Sequence, residues 1–195
     1  MRLFIATDLP ASLLQTIADV QQQLSQVTES ARWVRPESMH LTLKFLGEVV
    51  HGRLEAIDER LRRIRTQPFK VRVSGVGFFP NARSPRVFWV GIESPDLRDL
   101  AARVDEQTVE LGFPSEKRPF RPHLTLARSR GNRRLDSALV GESVRFSEWG
   151  FGTFTTDRFC MYQSMLRPKG AVYEKLSEYR LDRRGQSDRG EDAGA

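Results

Sequence analysis

The sequence predicts an α+β fold of two pseudo-symmetric lobes, each an antiparallel sheet with flanking helices, and an active-site cleft between them. Three observations carry this. Stretches of period two take turns with stretches of helical period, the pattern of α+β chains. Two blocks repeat: RLFIATDLPASLLQTI from Arg2 and RVFWVGIESPDLRDLA from Arg86. Each is an arginine, an apolar strand, a proline near a helix start, then an amphipathic helix. Finally, HLTL stands at 40–43 and again at 123–126 in a chain with three histidines. The offsets are 84 for Arg2 and Arg86, 85 for Pro10 and Pro95, and 83 for His40 and His123. Short strand–helix units resemble each other by chance, but a near-constant offset over three landmarks favours duplication. Two copies make two lobes and not a solenoid.

Residues 2–7 read as a strand. Leu13, Ile17, Val20, Leu24 and Val27 recur at helical spacing and predict a helix over roughly 11–27. HLTLKFL alternates and predicts a strand. Leu54, Ile57, Leu61 and Ile64 mark a second helix with arginines on its other face. FKVRVSGVGFF at 69–79 and RVFWVGIE at 86–93 are strands around the turn-rich PNARSP. Leu97, Leu100, Ala101, Val104 and Leu111 mark a third helix. Beyond the second HLTL come a short helical or loop stretch at 133–140 and strands near 144–154, 158–166 and 171–180. Residues 1–181 are expected to form one bilobal domain. The tail from 182, DRRGQSDRGEDAGA, lacks apolar anchors and is expected to be disordered.

The chain has 195 residues and one cysteine, so an internal disulfide is excluded. Its longest apolar run, VFWVGI at 87–92, is too short to cross a bilayer, and the N-terminus reads as a strand and not as a signal peptide. A cytoplasmic monomer without membrane contact is expected. The net charge is +6, from 31 Lys and Arg against 25 Asp and Glu. That value alone names no partner, but its distribution does. Residues 180–195 hold four arginines and four acids, whereas SEKRPFRPHLTLARSRGNRR at 115–134 holds seven basic residues and one acid. A cationic stretch around a histidine suits an anionic substrate such as a phosphodiester.

On a strand, His40 and Thr42 share one face and Leu41 and Leu43 the other; the same holds for His123 and Thr125 against Leu124 and Leu126. The leucines anchor the strand and leave a polar His/Thr face to a cleft. Related by a two-fold, two imidazoles and two hydroxyls converge. Attack of water on a cyclic phosphodiester needs a base for the nucleophile and an acid for the leaving oxygen. Imidazole serves either role near neutrality, each worth about 10²–10⁴-fold. Threonine hydroxyls suit non-bridging oxygens, and an arginine suits the developing charge. Arg128 and Arg130 come after the second motif, but five and seven residues beyond His123 they fall on the opposite parity. A bend or bulge in ARSRGN is needed to bring either inward. The chemistry needs no metal or other cofactor, and the sequence has no His/acid cluster with metal-ligand spacing.

In these motifs the chain resembles the two-histidine (2H) phosphoesterase superfamily, in its LigT-like branch of RNA 2′,3′-cyclic phosphodiesterases, also called 2′-5′ RNA ligases. RLFIATDLP, RWVRPESMHLTLKFLGEV, FFPNARSPRVFWVGI, RPFRPHLTLAR and VYEKL carry the likeness, from Arg2 to about Leu181. The resemblance implies a bilobal fold and RNA ends bearing 2′,3′-cyclic phosphate, or related cyclic nucleotides, as substrate. It implies His40 as general acid, His123 as general base, Thr42 and Thr125 on phosphate oxygens, Arg128 near the phosphate and Phe45 against a base or ribose. The product implied is a 2′-phosphomonoester, with 2′-5′ joining as the reverse. Two other readings stay open: an RNA- or nucleotide-binding module with little turnover, and an esterase of small cyclic nucleotides.

Other residues carry less. His51 reads as a surface residue and Cys160 as a buried, inert thiol. Trp33, Trp89 and Trp149 read as core or interface anchors. Phe79, Pro80 and Tyr173 either rim the cleft or end strands. The arginines of ERLRRIR read as a solvated helix face.

Overall fold

The computed structural model describes residues 1–117, 119–167 and 170–181, and the tail expected to be disordered lies outside them. The chain runs β1 (Arg2–Thr7), α1 (Ala11–Ser25), β2 (Ala31–Trp33), β3 (Leu41–Glu48), α2 (Leu54–Leu61), β4 (Phe69–Phe79), β5 (Val87–Glu93), α3 (Pro95–Val109), β6 (His123–Ser129), α4 (Ser137–Ser143), β7 (Gly150–Thr156), β8 (Arg158–Arg167) and β9 (Gly170–Arg180). These make the expected α+β fold with two antiparallel sheets. The first has the order β3–β1–β8–β9, the second β2–β6–β5–β4–β7. No described helix is long and apolar enough to cross a membrane.

Local chemistry explains the helices. Leu13, Ile17, Val20 and Leu24 bury one face of α1. Ser94 caps α3 by accepting the Leu97 N–H at 3.3 Å, with Pro95 at the first helical position. Asp136 caps α4 through the Leu139 N–H at 3.0 Å. Two expectations are corrected. Helix α2 stops at Leu61, short of Ile64, where the chain turns toward Thr66–Gln67–Pro68 and the position before proline disfavours helix. The strand expected over 144–154 starts only at Gly150, because Val144–Phe146 is a 3₁₀ turn after α4. The short strand β2 lies in a stretch for which no element is expected from pattern.

The lobes are not the two sequence blocks. The first sheet combines β1 and β3 with β8 and β9 from the far end of the chain; the second combines β5 and β6 with β2 and β4 from the first block. The symmetry is nevertheless strict in one place. Ala6 lies opposite Thr42 and Ile5 opposite Lys44, leaving Leu43 as an extra residue. Trp89 lies opposite Thr125 and Phe88 opposite Ala127, leaving Leu126 extra. Both HLTL strands are thus bulged at their last leucine, and the four pairs from Phe4–Phe45 to Thr7–Leu41 map by 83 positions onto those from Val87–Arg128 to Val90–Leu124. The bulge explains why both residues of each doublet, Leu43 with Lys44 and Leu126 with Ala127, are buried. It also sets the frame of the repeat one residue away from the letter match of RLF with RVF: Phe4 corresponds to Val87, not to Phe88.

Each bulge is held by the helix of the other block. Gln21 of α1, a buried amide, donates from Nε2 to the carbonyl oxygens of Leu126 and Val34, both at 2.9 Å. Asp105 of α3 accepts from Lys44 Nζ at 2.6 Å, and the Lys44 side chain is only 5% exposed. The Lys44 ammonium and the hydrogen bond from Ser115 hold the Asp105 carboxyl below its ordinary range against the opposing effect of burial. One apolar cluster runs through both sheets, from Leu3, Ile5 and Leu41 to Val90, Leu124 and Leu126. Removing Lys44 leaves a carboxylate beside the core without its cation. Lys44→Ala is expected to lower stability by about 1–3 kcal/mol in urea unfolding; a change within about 0.5 kcal/mol, the usual range for an ordinary surface substitution, counts against a structural role for this pair.

Candidate active site

The faces of the two sheets turned away from the common core carry the HLTL polar residues. In the first sheet that face holds a small cluster of Phe4, Ala6, Cys160 and Tyr162, with Tyr173 packed on it. His40 sits one residue before β3 and is half-buried, so the expected strand begins just after it. Its ring stacks on Phe4 with centroids 4.6 Å apart, lies parallel to Tyr162 at 6.2 Å and meets Tyr173 edge-on at 4.9 Å. Burial pushes the His40 pKa down from 6.5 to about 4, against a Ser38 backbone hydrogen bond and the Asp8 carboxylate, which favour the charged form. Asp8 is itself engaged by the Tyr162 hydroxyl and by Lys175 Nζ, the latter at 2.9 Å. Tyr173, ambiguous from sequence, is therefore part of the wall around His40.

In the second sheet His123 opens β6. Its Nδ1–H donates to the Arg121 carbonyl at 2.8 Å, which leaves Nε2 for a ligand. The Phe79 ring meets it edge-on at 4.9 Å, so Phe79 does border this histidine. Ser38 and Arg121 are again 83 positions apart: each imidazole is tied to the backbone two residues upstream. Thr42 and Thr125 are half-buried, and neither hydroxyl has a hydrogen-bond partner among the described residues.

The bulge settles the parity of the strand beyond it. Arg128 lies opposite Val87, two positions along β5 from Trp89, which faces Thr125. It therefore shares the face of His123 and Thr125, without any bend in ARSRGN; the irregularity expected there lies upstream, at Leu126. Phe45 is the counterpart of Arg128 at 83 positions, lies opposite Phe4, and is 66% exposed. So the same post-bulge position presents an aromatic ring in one sheet and a guanidinium in the other. Arg130 is exposed just past the end of β6, with Nε 3.5 Å from the Ala31 carbonyl, and is not brought to His123 by the strand. Arg32 of β2 lies directly opposite Arg128. No sequence pattern singles it out, because a three-residue strand is too short to show one.

Of the remaining residues, His51 is exposed in a 3₁₀ turn. Cys160 is buried and its thiol is pushed up to about 11 by burial, which keeps it protonated and inert. Trp33 packs edge-on against Phe88 in the core. Trp89 lies over Gly77, where a Cβ would fall 2.3 Å from its ring. Trp149 is 51% exposed, which corrects its reading as a core or interface anchor; it rests on Phe146 at the surface. Among the described residues no group of three or more His, Cys, Asp or Glu gathers as metal ligands would.

The lowered His40 pKa makes a stability prediction. Between pH 6.5 and about 4 the unfolded chain takes up a proton that folded His40 refuses, so its effect is absent above pH 6.5 and grows as pH falls toward 4. The loss levels off at about 3 kcal/mol at most. The stability of the wild type should fall more steeply over this window than that of His40→Gln; parallel curves would show that burial does not suppress the charge.

The comparisons with known proteins agree with this geometry. The family description LigT like Phosphoesterase matches residues 8–89 and again residues 90–173, one HLTL strand in each match. The RNA 2′,3′-cyclic phosphodiesterase of Archaeoglobus fulgidus is 40% identical over 177 residues, covering 90% of this chain and 98% of that protein. Its namesake from Methanothermobacter thermautotrophicus is 34% identical over 186 residues, covering 93% and 99%. Among solved structures, TT0787 of Thermus thermophilus superposes with a TM-score of 0.78 at 30% identity, over 93% of this chain and 98% of that one. E. coli LigT complexed with 3′-AMP superposes at 0.75 and 28% identity, again over 93% and 98%. Duplicated strand, bulge and histidine frame thus occur in a chain that belongs to the LigT-like phosphoesterase family.

Proposed function

We propose that the protein is an RNA 2′,3′-cyclic phosphodiesterase, which opens the 2′,3′-cyclic phosphate at an RNA 3′ end to a 2′-phosphomonoester by paired-histidine catalysis. The observation that carries this is the matched frame of His40 and His123. His40 immediately precedes a bulged strand and His123 opens one, each is bonded to the backbone two residues upstream, and each has a threonine two residues on whose hydroxyl has no partner among the described residues. The curated relatives named RNA 2′,3′-cyclic phosphodiesterase support the same substrate class.

In this reading the two sheet faces enclose one phosphorus atom. His123, with Nδ1–H on the Arg121 carbonyl and Nε2 turned to the ligand, takes the proton of the attacking water. The new P–O bond forms as the bond from phosphorus to the ribose 3′ oxygen breaks, and His40 protonates that oxygen. Thr42 and Thr125 donate to the non-bridging oxygens, and Arg128 offsets the charge that develops there. Phe45 offers an exposed ring to the base or ribose. The 5′-hydroxyl of another RNA end, attacking the cyclic phosphate in place of water as the same bond to the 3′ oxygen breaks, gives a 2′-5′ linkage at the same site. Burial keeps His40 neutral in the free protein, so the phosphodiester anion is what raises its proton affinity. The charged acid then forms where the leaving oxygen needs it.

Turnover of a cyclic-phosphate-ended oligonucleotide in excess EDTA tests the reading; activity abolished by chelation overturns the metal-independent route. His40→Ala and His123→Ala are each expected to lower kcat by about 10²–10⁴-fold with circular dichroism unchanged, and near-normal turnover in either removes that residue from the mechanism. The low-pH limb of kcat/KM should lie near 4, the His40 value in the free protein, while that of kcat should stand higher. Coincident limbs would contradict charging of His40 by the substrate.

A further inference from the structure

Strand β6 carries His123, Thr125 and Arg128 along one face and ends at Ser129. At about 3.3 Å per residue, its far end is roughly 20 Å from His123, well past a single nucleotide. Two loops meet there. The Leu135 N–H donates to the Pro85 carbonyl at 2.8 Å, and the Arg134 guanidinium donates to the Arg83 carbonyl at 3.3 Å. Segments 30–33, 80–86 and 129–136 together hold six arginines and one carboxylate, Asp136. That carboxylate is occupied: it accepts from the Thr28 hydroxyl at 2.6 Å and from the Leu139 N–H at 3.0 Å. Arg32, Arg83, Arg130, Arg133 and Arg134 are all exposed, and none forms an ion pair with a described residue.

Two features separate this end from an ordinary solvated surface. Arg32 and Arg128 stand directly opposite each other across β2 and β6. Like charges in that position oppose strand pairing, and an anion between them removes the penalty. An open cavity of about 570 Å³ is lined by Arg32, Ser129, Arg130 and Gly131. None of the large exposed apolar side chains of the described residues lies in these segments, so the surface has nothing to insert into a lipid layer.

We infer that this arginine-rich end of the second sheet, around Arg32, Arg130 and Arg134, binds the phosphates of the RNA chain on the 5′ side of the reacting end. The inference rests on the phosphodiesterase reading of the histidine site. A 2′,3′-cyclic phosphate closes the 3′ terminus, so the rest of the RNA leaves the site in the 5′ direction with one phosphate per nucleotide. Guanidiniums beyond Arg128 that have no carboxylate partner among the described residues suit such a backbone without reading its sequence.

The test uses the whole protein and the double variant Arg32→Ser/Arg134→Ser. Binding of single-stranded RNA with an unreactive 3′-hydroxyl end is monitored by fluorescence anisotropy across a salt series. Loss of two phosphate contacts should reduce the slope of log affinity against log salt by about 1.4. In parallel, the ratio of kcat/KM for a cyclic-phosphate-ended oligonucleotide over that for a 2′,3′-cyclic mononucleotide should fall about tenfold. A slope that stays put overturns the inference, as does a ratio that stays put or equally tight binding to anionic phospholipid vesicles. The arms separate the two readings. RNA binding that responds to the variant without turnover of either substrate sinks the phosphodiesterase activity and leaves the surface standing. Turnover with an unresponsive salt slope does the reverse.

Discussion

The site depends on one irregularity made twice: the extra residue at Leu43 and at Leu126. A regular strand would carry Phe45 and Arg128 to the core side, where an arginine has no partner and a phenylalanine has no access to a ligand. One inserted residue reverses that. Both leucines of each motif still anchor the strand, and the face that begins with histidine and threonine is extended by a further useful side chain. A bulge leaves backbone groups without ladder partners. On one side a helix of the opposite block meets such a group directly, the buried Gln21 amide donating to the Leu126 carbonyl; on the other, Asp105 of α3 pairs with the buried ammonium of Lys44, the residue next to the bulge. Bulge, strand face and helix are one device, and the imidazoles inherit their positions from it.

Within that symmetric frame the two histidines have different surroundings. His40 lies against Phe4, with Tyr162 and Tyr173 around it. The counterpart of Phe4 is Val87, so His123 lacks a stacked ring from that position and, among the described residues, meets the edge of Phe79 alone. An aromatic enclosure removes water from one imidazole and holds it neutral until a charge arrives. The post-bulge pair deepens the difference, with a flat apolar ring on one side and a cation on the other. A nucleotide is likewise two-ended, with an apolar base and an anionic phosphate. On the proposed phosphodiesterase reading, this difference between the lobes would orient a substrate that the duplicated frame alone would accept in either direction.

Much of this is legible in the sequence because it is local. The histidines, the threonines, their separation of 83 and the helical periods of α1 and α3 all sit in short windows. The rest depends on pairing. Strict alternation places Arg128 on the wrong face, because it cannot reveal which residue is extra until a partner strand is known. The doublet Leu126–Ala127 is a visible break in alternation, but in the first motif the matching position is Lys44, whose burial no hydropathy pattern announces. Matching RLF to RVF by letter shifts the frame by one residue, which on a strand exchanges the two faces. The roles of β4, β8 and β9 come from long-range register, and Arg32 from a strand of three residues.

The sheets are woven from both ends of the chain, and this constrains how the protein can be built. The first sheet is completed by β8 and β9, the last strands made, and the second takes β2 and β4 from early in the chain. The first sheet cannot be completed until β8 and β9 have left the ribosome, whereas the strands of the second all lie within 31–156 and emerge earlier. A nascent chain carrying only the first HLTL strand therefore presents unpaired edges and an uncovered bulge, and the first sheet is completed only once β8 and β9 are present.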